Sequence, residues 1–357
     1  MNKILRILIL LAIAWRGSAQ QKTENIVIVT LDGMRWQEVF GGVDFQLMSD
    51  KRFTRDSEQV AKKYWDADLS GRRMKLFPFF WSTVFRQGQL YGDRNQASEV
   101  NNANPYKFSY PGYNEIFTGY PDTAVNSNDK ILNKNTNVLE FINHQKGFQG
   151  KIAAFTTWDV FPYILNKWRS GIYVNADVDT LRFDNPQLKL INDMQLLSAK
   201  PLGLRPDILT YIAGREYLKA YKPRVLYIAF DETDDFAHEG LYDQYLESAH
   251  AEDAMIADLW STIQSMPEYK NKTTLIVTCD HGRGDKIKEQ WRDHGQKVED
   301  AGHIWIAVMG PDTKATGIVK TQTPIYQKQI GPTIAALLGF NFIPDHETAS
   351  PIASIIH

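Results

Sequence analysis

The sequence predicts an α/β fold in which a mostly parallel central sheet carries helices on both faces, three layers in all. Two observations predict it. Five short β-branched runs are continuously apolar, as strands covered on both faces are. Stretches with helical spacing separate or follow them. The strand-like runs are NIVIVTLD (25–32), GKIAAFT (150–156), RVLYIAFD (224–231), TTLIVTCD (273–280) and HIWIAVMG (303–310). The helical stretches are ILTYIAGREYLKAY (208–221), YLESAHAEDAMIADLWSTIQ (245–264) and IGPTIAALLG (330–339). Neither an internal repeat nor a low-complexity linker divides the chain, so residues 20–357 read as one domain. The polar, charged segment 43–76 reads as an insertion or cap on the first strand–helix connection.

The bulk composition narrows the function. A chain of 357 residues with 43% hydrophobic and 23% charged residues forms a packed core. Its formal charge of −2 and pI near 6.5 provide no basic field for a nucleic-acid duplex. At the N-terminus, Lys3 and Arg6 precede the apolar run ILILLAIAW, and small residues follow at 17–19. The pattern predicts a secretory signal peptide over residues 1–19. The apolar run is about half of the ~20 residues a membrane span needs, so no membrane anchor is expected. The mature chain is expected to begin near Gln20 and to work in the periplasm or outside the cell. The single cysteine, Cys279, excludes an internal disulfide and lies in an apolar run, as a buried small hydrophobe.

Three of the strand-like runs end in aspartate: Asp32, Asp231 and Asp280. Ligands of open α/β sheets gather beyond the carboxyl ends of the strands. His281 follows Asp280 directly, so the pair can reach one centre from two directions. Asp234 precedes His238 by four residues, one helical turn, which puts both side chains on one face. His294 and His303 follow before the last strand. Oxygen and nitrogen ligands in this mixture suit zinc or a similar ion. There are enough of them for two centres, the arrangement used in phosphoryl transfer.

The stretch FSYPGYNEIFTG (108–119) places Ser109 at a helix start. There it reads either as an N-cap or as a nucleophile at the positive helix end.

These motifs, in this order, resemble the alkaline phosphatase superfamily, most closely its type I phosphodiesterase and nucleotide pyrophosphatase group. The set comprises strand-Asp-Gly (VIVTLDGMRW), a hydroxyl residue followed by aromatic-Pro and Thr-Gly (SYPGYNEIFTGYPD), D-x-x-x-H, D-H-G and His294-Gly295. The resemblance implies an alkaline-phosphatase-like sandwich and two divalent cations, with zinc expected and manganese the alternative. Asp234, His238 and His294 would hold one cation. Asp32, Asp280 and His281 would hold the other, with the oxygen of Ser109 beside it. His303 competes with His294, which is preferred for its following glycine and its distance from the last strand. Ser109 would attack phosphorus in line and form a phosphoseryl intermediate.

The sequence departs from the family in two places. The group usually has Asn after the proline to bind a phosphoryl oxygen; here Gly112 stands there. Asn101, Asn102, Asn104 and Asn114 are nearby, and Asn102 and Asn114 are the substrate-binding candidates. Some monoesterases hold the phosphoryl group with a Lys-x-Arg pair; here Trp158 and Val160 fall near those positions, and Lys167 and Arg169 come later. Arg169 and Trp158 join the substrate-binding candidates. Trp36, Tyr110, Tyr113 and Tyr163 offer further rings that could stack on an organic group.

The expected function is therefore hydrolysis of phosphoric esters, either diester or nucleotide-type substrates or monoesters. The esters would be small molecules or glycan- or lipid-linked. Three alternatives remain: a sulfuric-ester hydrolase, a phosphotransferase, and an exported binding protein with structural metal. Tyr113 stands where the sulfatase motif has Arg, which disfavours the first of these.

Overall fold

The computed structural model describes residues 22–356; the predicted signal peptide lies outside the described residues. Among the described residues eleven strands form two sheets. They are β1 (Asn25–Leu31), β2 (Gln89–Tyr91), β3 (Val100–Asn101), β4 (Ile152–Thr156), β5 (Tyr173–Ala176) and β6 (Val225–Phe230), then β7 (Thr273–Thr278), β8 (His303–Ile304), β9 (Ile306–Met309), β10 (Gly317–Ile318) and β11 (Ile325–Tyr326). The main sheet runs β10-β2-β9-β7-β1-β6-β4-β5, and β11-β3-β8 form a small second sheet. In the main sheet only β9 runs against the others. The central strands β1, β6 and β7 are buried along their whole length, which explains their unbroken apolar runs.

Neighbouring residues of β6 show why there are three layers. Successive side chains of a strand point to opposite faces. The Tyr227 ring meets Phe117 of the Ser109–Thr118 helix and Phe161, with centroids 4.8 and 5.6 Å apart. The next residue, Ile228, packs under Gly214 of the Asp207–Tyr221 helix on the other face. The Tyr242–Ser265 helix packs beside the Asp207–Tyr221 helix, and the Ile330–Leu337 helix beside Ser109–Thr118.

All five predicted strands form, and one of them divides. The run 303–310 breaks at Trp305, whose indole N–H donates to the Met34 carbonyl (3.0 Å). Before the break it pairs with β3, and after it with β7 and β2. The segment 43–76 folds into short helices at Phe45–Ser49, Ser57–Tyr64 and Leu69–Leu76. Each sends apolar side chains into the core, among them Leu47, Val60 and Leu76.

The Ser109 helix lies hard against the end of β7. A Cβ placed on Gly112 would stand 2.5 Å from the Asp280 carbonyl oxygen. A side chain at 112 therefore has no room, which accounts for glycine where the related group carries asparagine. Gly112→Ala should cost about 1–3 kcal/mol through overpacking, read as a lower urea midpoint at unchanged slope. A midpoint equal to the parent's would show that the helix is free to withdraw.

Candidate active site

The register of the central sheet builds the site. Thr30 pairs with Thr278 and Leu31 with Phe230. Carried forward, this register sets Asp280 and Asp231 level with Asp32, on adjacent strands about 5 Å apart. Gly33 follows with φ +59°, and a Cβ there would meet Asp234 Oδ1 at 2.5 Å. Glycine is required at this turn by both its conformation and its crowding. Its N–H donates to Asp280 Oδ1 (3.1 Å).

His281 occupies the centre. Its Nε2 lies 3.4 Å from Asp32 Oδ1, 3.4 Å from Asp280 Oδ2 and 3.7 Å from Asp234 Oδ1. Its Nδ1 lies 3.0 Å from the Gly282 carbonyl, which only accepts, so the proton belongs on Nδ1 and the Nε2 lone pair faces the carboxylates. His294 is oriented the same way: Nδ1 faces the Lys107 carbonyl (3.3 Å), and Nε2 stands 2.9 Å from His238 Nε2 and 3.8 Å from Asp234 Oδ1. His238 Nε2 is 3.1 Å from Asp234 Oδ2, one helical turn away as the spacing requires. The rings of His281 and His294 stack with centroids 3.9 Å apart. Two ligand groups thus meet, Asp32–Asp280–His281 and Asp234–His281–His294, with His238 at the edge of the second. His303 does not join them. It opens β8 opposite Asn101 and faces Asp300 at 3.8 Å.

Two buried atoms test whether these residues suit a cation. Asp32 Oδ1 and Asp280 Oδ2 lack any hydrogen-bond partner, although both are sealed from solvent. Orphaned carboxylate oxygens facing imidazole lone pairs are a donor set that fits a divalent ion such as zinc.

The electrostatics agree. Burial, reinforced by Asp234, lifts the Asp32 carboxyl well above its usual range. Burial, reinforced by Asp32, does the same to Asp280. Burial also opposes ionisation of Asp234, but Arg283 and then His238 outweigh it and hold that carboxyl well below its usual range. Arg283 is itself buried; it donates to the Asp234 carboxylate and, at 2.6 Å, to the Arg292 carbonyl. Burial and His281 together push His294 far below the ordinary imidazole value.

Ser109 is the first residue of its helix, and Phe108 occupies the cap position. The serine therefore does no N-capping. Its Oγ stands 3.5 Å from His281 Nε2, at the edge of the Asp32–Asp280–His281 group. The neighbouring N–H of Tyr110 is capped by Asn128 Oδ1 (2.9 Å).

The substrate-binding candidates fare differently. All five donors of Arg169 are occupied, by Glu140 and by the carbonyls of Asn133, Lys134 and Asn135, so it clamps a loop and has none to offer a phosphoryl group. Asn114 donates to the Tyr120 carbonyl and accepts from Asn133 and Asn135, which ties the same loop to the helix. Asn102 spends its amide N–H groups on the Asp280 carbonyl (2.8 Å) and on Gln327 (2.6 Å), holding the β7 turn. Trp158 packs edge-on against Phe161 beyond the end of β4 and is partly exposed. Two of the expected stacking rings are not available to a ligand. Tyr110 and Tyr113 are buried; the Tyr110 hydroxyl bonds a carbonyl of the 120–135 loop, and the Tyr113 hydroxyl donates to Asp32 Oδ2 (2.8 Å). Sequence reasoning missed Arg283, although it follows His281 by only two residues. It also missed the Lys107 carbonyl, which carries no residue-type signal.

The fold is shared with proteins of the alkaline phosphatase superfamily whose structures are solved. The wild-type alkaline phosphatase PafA superposes with a TM-score of 0.62 at 10% identity, covering 94% of this chain and 99% of that one. The lipoteichoic acid synthase LtaP from Listeria monocytogenes gives 0.57 at 13% identity, over 90% of this chain and 73% of its own. Murine ectonucleotide pyrophosphatase/phosphodiesterase 5, an inactive form in complex with AMP, gives 0.56 at 13%, over 91% and 97%. At these identities the likeness establishes the fold alone. None of the curated proteins matches this sequence. The profile of the type I phosphodiesterase / nucleotide pyrophosphatase family matches residues 36–324, and the chain belongs to that family. Membership supports phosphoric-ester hydrolysis as the class of chemistry.

The raised carboxyls have a consequence for stability. A group whose folded pKa is raised stabilises the fold below its unfolded value, about 4 for Asp, and withdraws that stability as pH climbs through the folded value. Besides Asp32 and Asp280, burial and Asp234 push Asp235 up to about 7, and burial and Glu232 push Asp207 up to about 7. His294, held far below its ordinary value, adds stability as pH rises towards about 6.5, so the metal-free protein should melt at falling temperature between about pH 6.5 and 8. Zinc should restore the loss and release protons on binding, seen by calorimetry in buffers of different ionisation heat. A melting temperature independent of pH over that range, and zinc binding without proton release, would contradict the assignment.

Proposed function

We propose that the protein is an exported, metal-dependent hydrolase of phosphoric esters with Ser109 as nucleophile. One observation carries this reading: the Ser109 oxygen stands 3.5 Å from His281 Nε2, beside two buried carboxylate oxygens that have no other partner. Asp32, Asp280 and His281 would hold one divalent cation, and Asp234, His238 and His294 the other, zinc being expected and manganese the alternative. Bound there, the cations would supply positive charge for an ionised serine oxygen and for the phosphoryl oxygens.

The chain's own part begins with placing the hydroxyl. Ser109 opens a helix, so the positive end of the helix favours its ionised form. Its oxygen attacks phosphorus in line; the Oγ–P bond forms as the bond to the leaving oxygen breaks. Water then cleaves the phosphoserine. His281 and His294, each fixed by a carbonyl on Nδ1, keep their Nε2 lone pairs turned inward throughout.

Esters of small molecules, or glycan- or lipid-linked esters, are the expected substrates, with diester or nucleotide-type compounds favoured by the family. Hydrolysis is preferred to transfer on the match to the phosphodiesterase family. The motif of residues 1–19 supports export to the periplasm or beyond. Among the described residues no helix is long and apolar enough to cross a membrane. N-terminal sequencing of the extracytoplasmic fraction should find a start near Gln20; an intact Met1 there would overturn the cleavage reading, and absence of the protein from that fraction would overturn export.

The activity test runs p-nitrophenyl phosphate, bis-p-nitrophenyl phosphate and p-nitrophenyl sulfate in parallel on the zinc-loaded protein. We expect turnover of a phosphate ester, and a loss of about a thousand-fold or more in Ser109→Ala. Parental rates in Ser109→Ala would eliminate the nucleophile assignment, and turnover of the sulfate alone would move the protein to sulfuric esters.

A further inference from the structure

We infer that Tyr113 is a positioning residue for the metal site. It sets Asp32 so that one carboxylate oxygen is anchored and the other is left for a cation. The inference rests on the two-cation, Ser109 reading and adds to it a link between the nucleophile and a metal ligand.

The argument begins with spacing. Ser109 and Tyr113 are separated by four residues on one helix, so their side chains leave the same face one turn apart. Ser109 Oγ reaches His281, and the Tyr113 hydroxyl reaches Asp32 Oδ2 at 2.8 Å. A phenol facing a carboxylate donates. Asp32 Oδ2 therefore has a fixed partner, whereas Asp32 Oδ1 has none and faces His281 Nε2 at 3.4 Å. A carboxylate anchored at one oxygen cannot rotate to offer both, so it presents a single, oriented ligand atom. Hydrogen-bonded supports of this kind typically affect metal affinity by about 10- to 100-fold.

The surroundings favour the hydroxyl over the ring as the functional part. Tyr113 is fully buried, and its ring packs edge-on against Phe161 with centroids 4.6 Å apart. Phenylalanine would keep that packing. An apolar residue would thus satisfy the core, yet a hydroxyl is present and is spent on a carboxylate that water does not reach.

Tyr113→Phe should bind zinc about 10- to 100-fold more weakly in chelator competition, while the melting temperature of its metal-free form stays near the parent's. Tyr269→Phe is the control for loss of a buried hydroxyl, since Tyr269 donates to the Pro223 carbonyl (2.7 Å) away from the ligands; its zinc affinity should equal the parent's. In an Asp32→Ala background, Tyr113→Phe should cause no further loss of affinity. Parental zinc affinity in Tyr113→Phe would overturn the inference. So would an equal loss in Tyr269→Phe, or a full further loss in the Asp32→Ala background. Failure of the nucleophile reading shows separately, as parental ester hydrolysis by Ser109→Ala.

Discussion

Three aspartates are driven together at the ends of β7, β1 and β6, and the site depends on that crowding. The strands are adjacent, parallel and in a register that levels Asp280, Asp32 and Asp231. Each of the three carboxyls is withdrawn from water, and burial raises the cost of its charge. A fold with only these groups would repel itself or hold protons. His281 faces Asp32 and Asp280, while Arg283, His238 and His294 gather on the neighbouring Asp234. Two carboxylate oxygens of this cluster still lack partners, and a divalent cation there would satisfy them.

The short segment from Lys107 to Tyr113 brings the Ser109 hydroxyl to this cluster. Lys107 has φ +53°, a left-handed conformation that a lysine adopts at some cost. Its carbonyl faces His294 Nδ1. Two residues on, Ser109 faces His281, and one turn later Tyr113 donates to Asp32. One stretch of chain therefore touches both groups of carboxylates and imidazoles and carries Ser109 between them. Asn104 supports the approach by accepting from the N–H groups of Tyr106 and Lys107, while Glu115, buried below, accepts from those of Ala103 and Asn104. A displacement at either ligand group would be transmitted to the serine through this segment.

The fold and the gathering of these Asp and His residues were legible in the sequence for a physical reason. Strands buried on both faces have no polar side to hide, so β1, β6 and β7 stand out as apolar runs, and a carboxylate at the end of each is conspicuous. The Asp234–His238 pair is likewise visible, because helix geometry is local. Partners distant in sequence were not legible. Arg169 read as a substrate clamp, yet its donors all go to a loop more than thirty residues upstream and to Glu140. Tyr113 read as a ring that could stack on an organic group, because nothing local distinguishes a tyrosine that stacks on ligand from one whose hydroxyl meets Asp32. The small strands of the second sheet are two residues long, too short to show a period, and the break at Trp305 depends on an indole bond to Met34 that only the fold creates.

The central claim is that two ligand groups, sharing the space around His281, each hold a cation with Ser109 at one of them. Anomalous scattering at the zinc edge from crystals of the zinc-loaded protein tests it most directly. The account predicts two zinc peaks, one among Asp32, Asp280 and His281 beside the Ser109 oxygen, and one among Asp234, His238 and His294. A single peak, or a peak bound by His303 with His294 turned away, would contradict it.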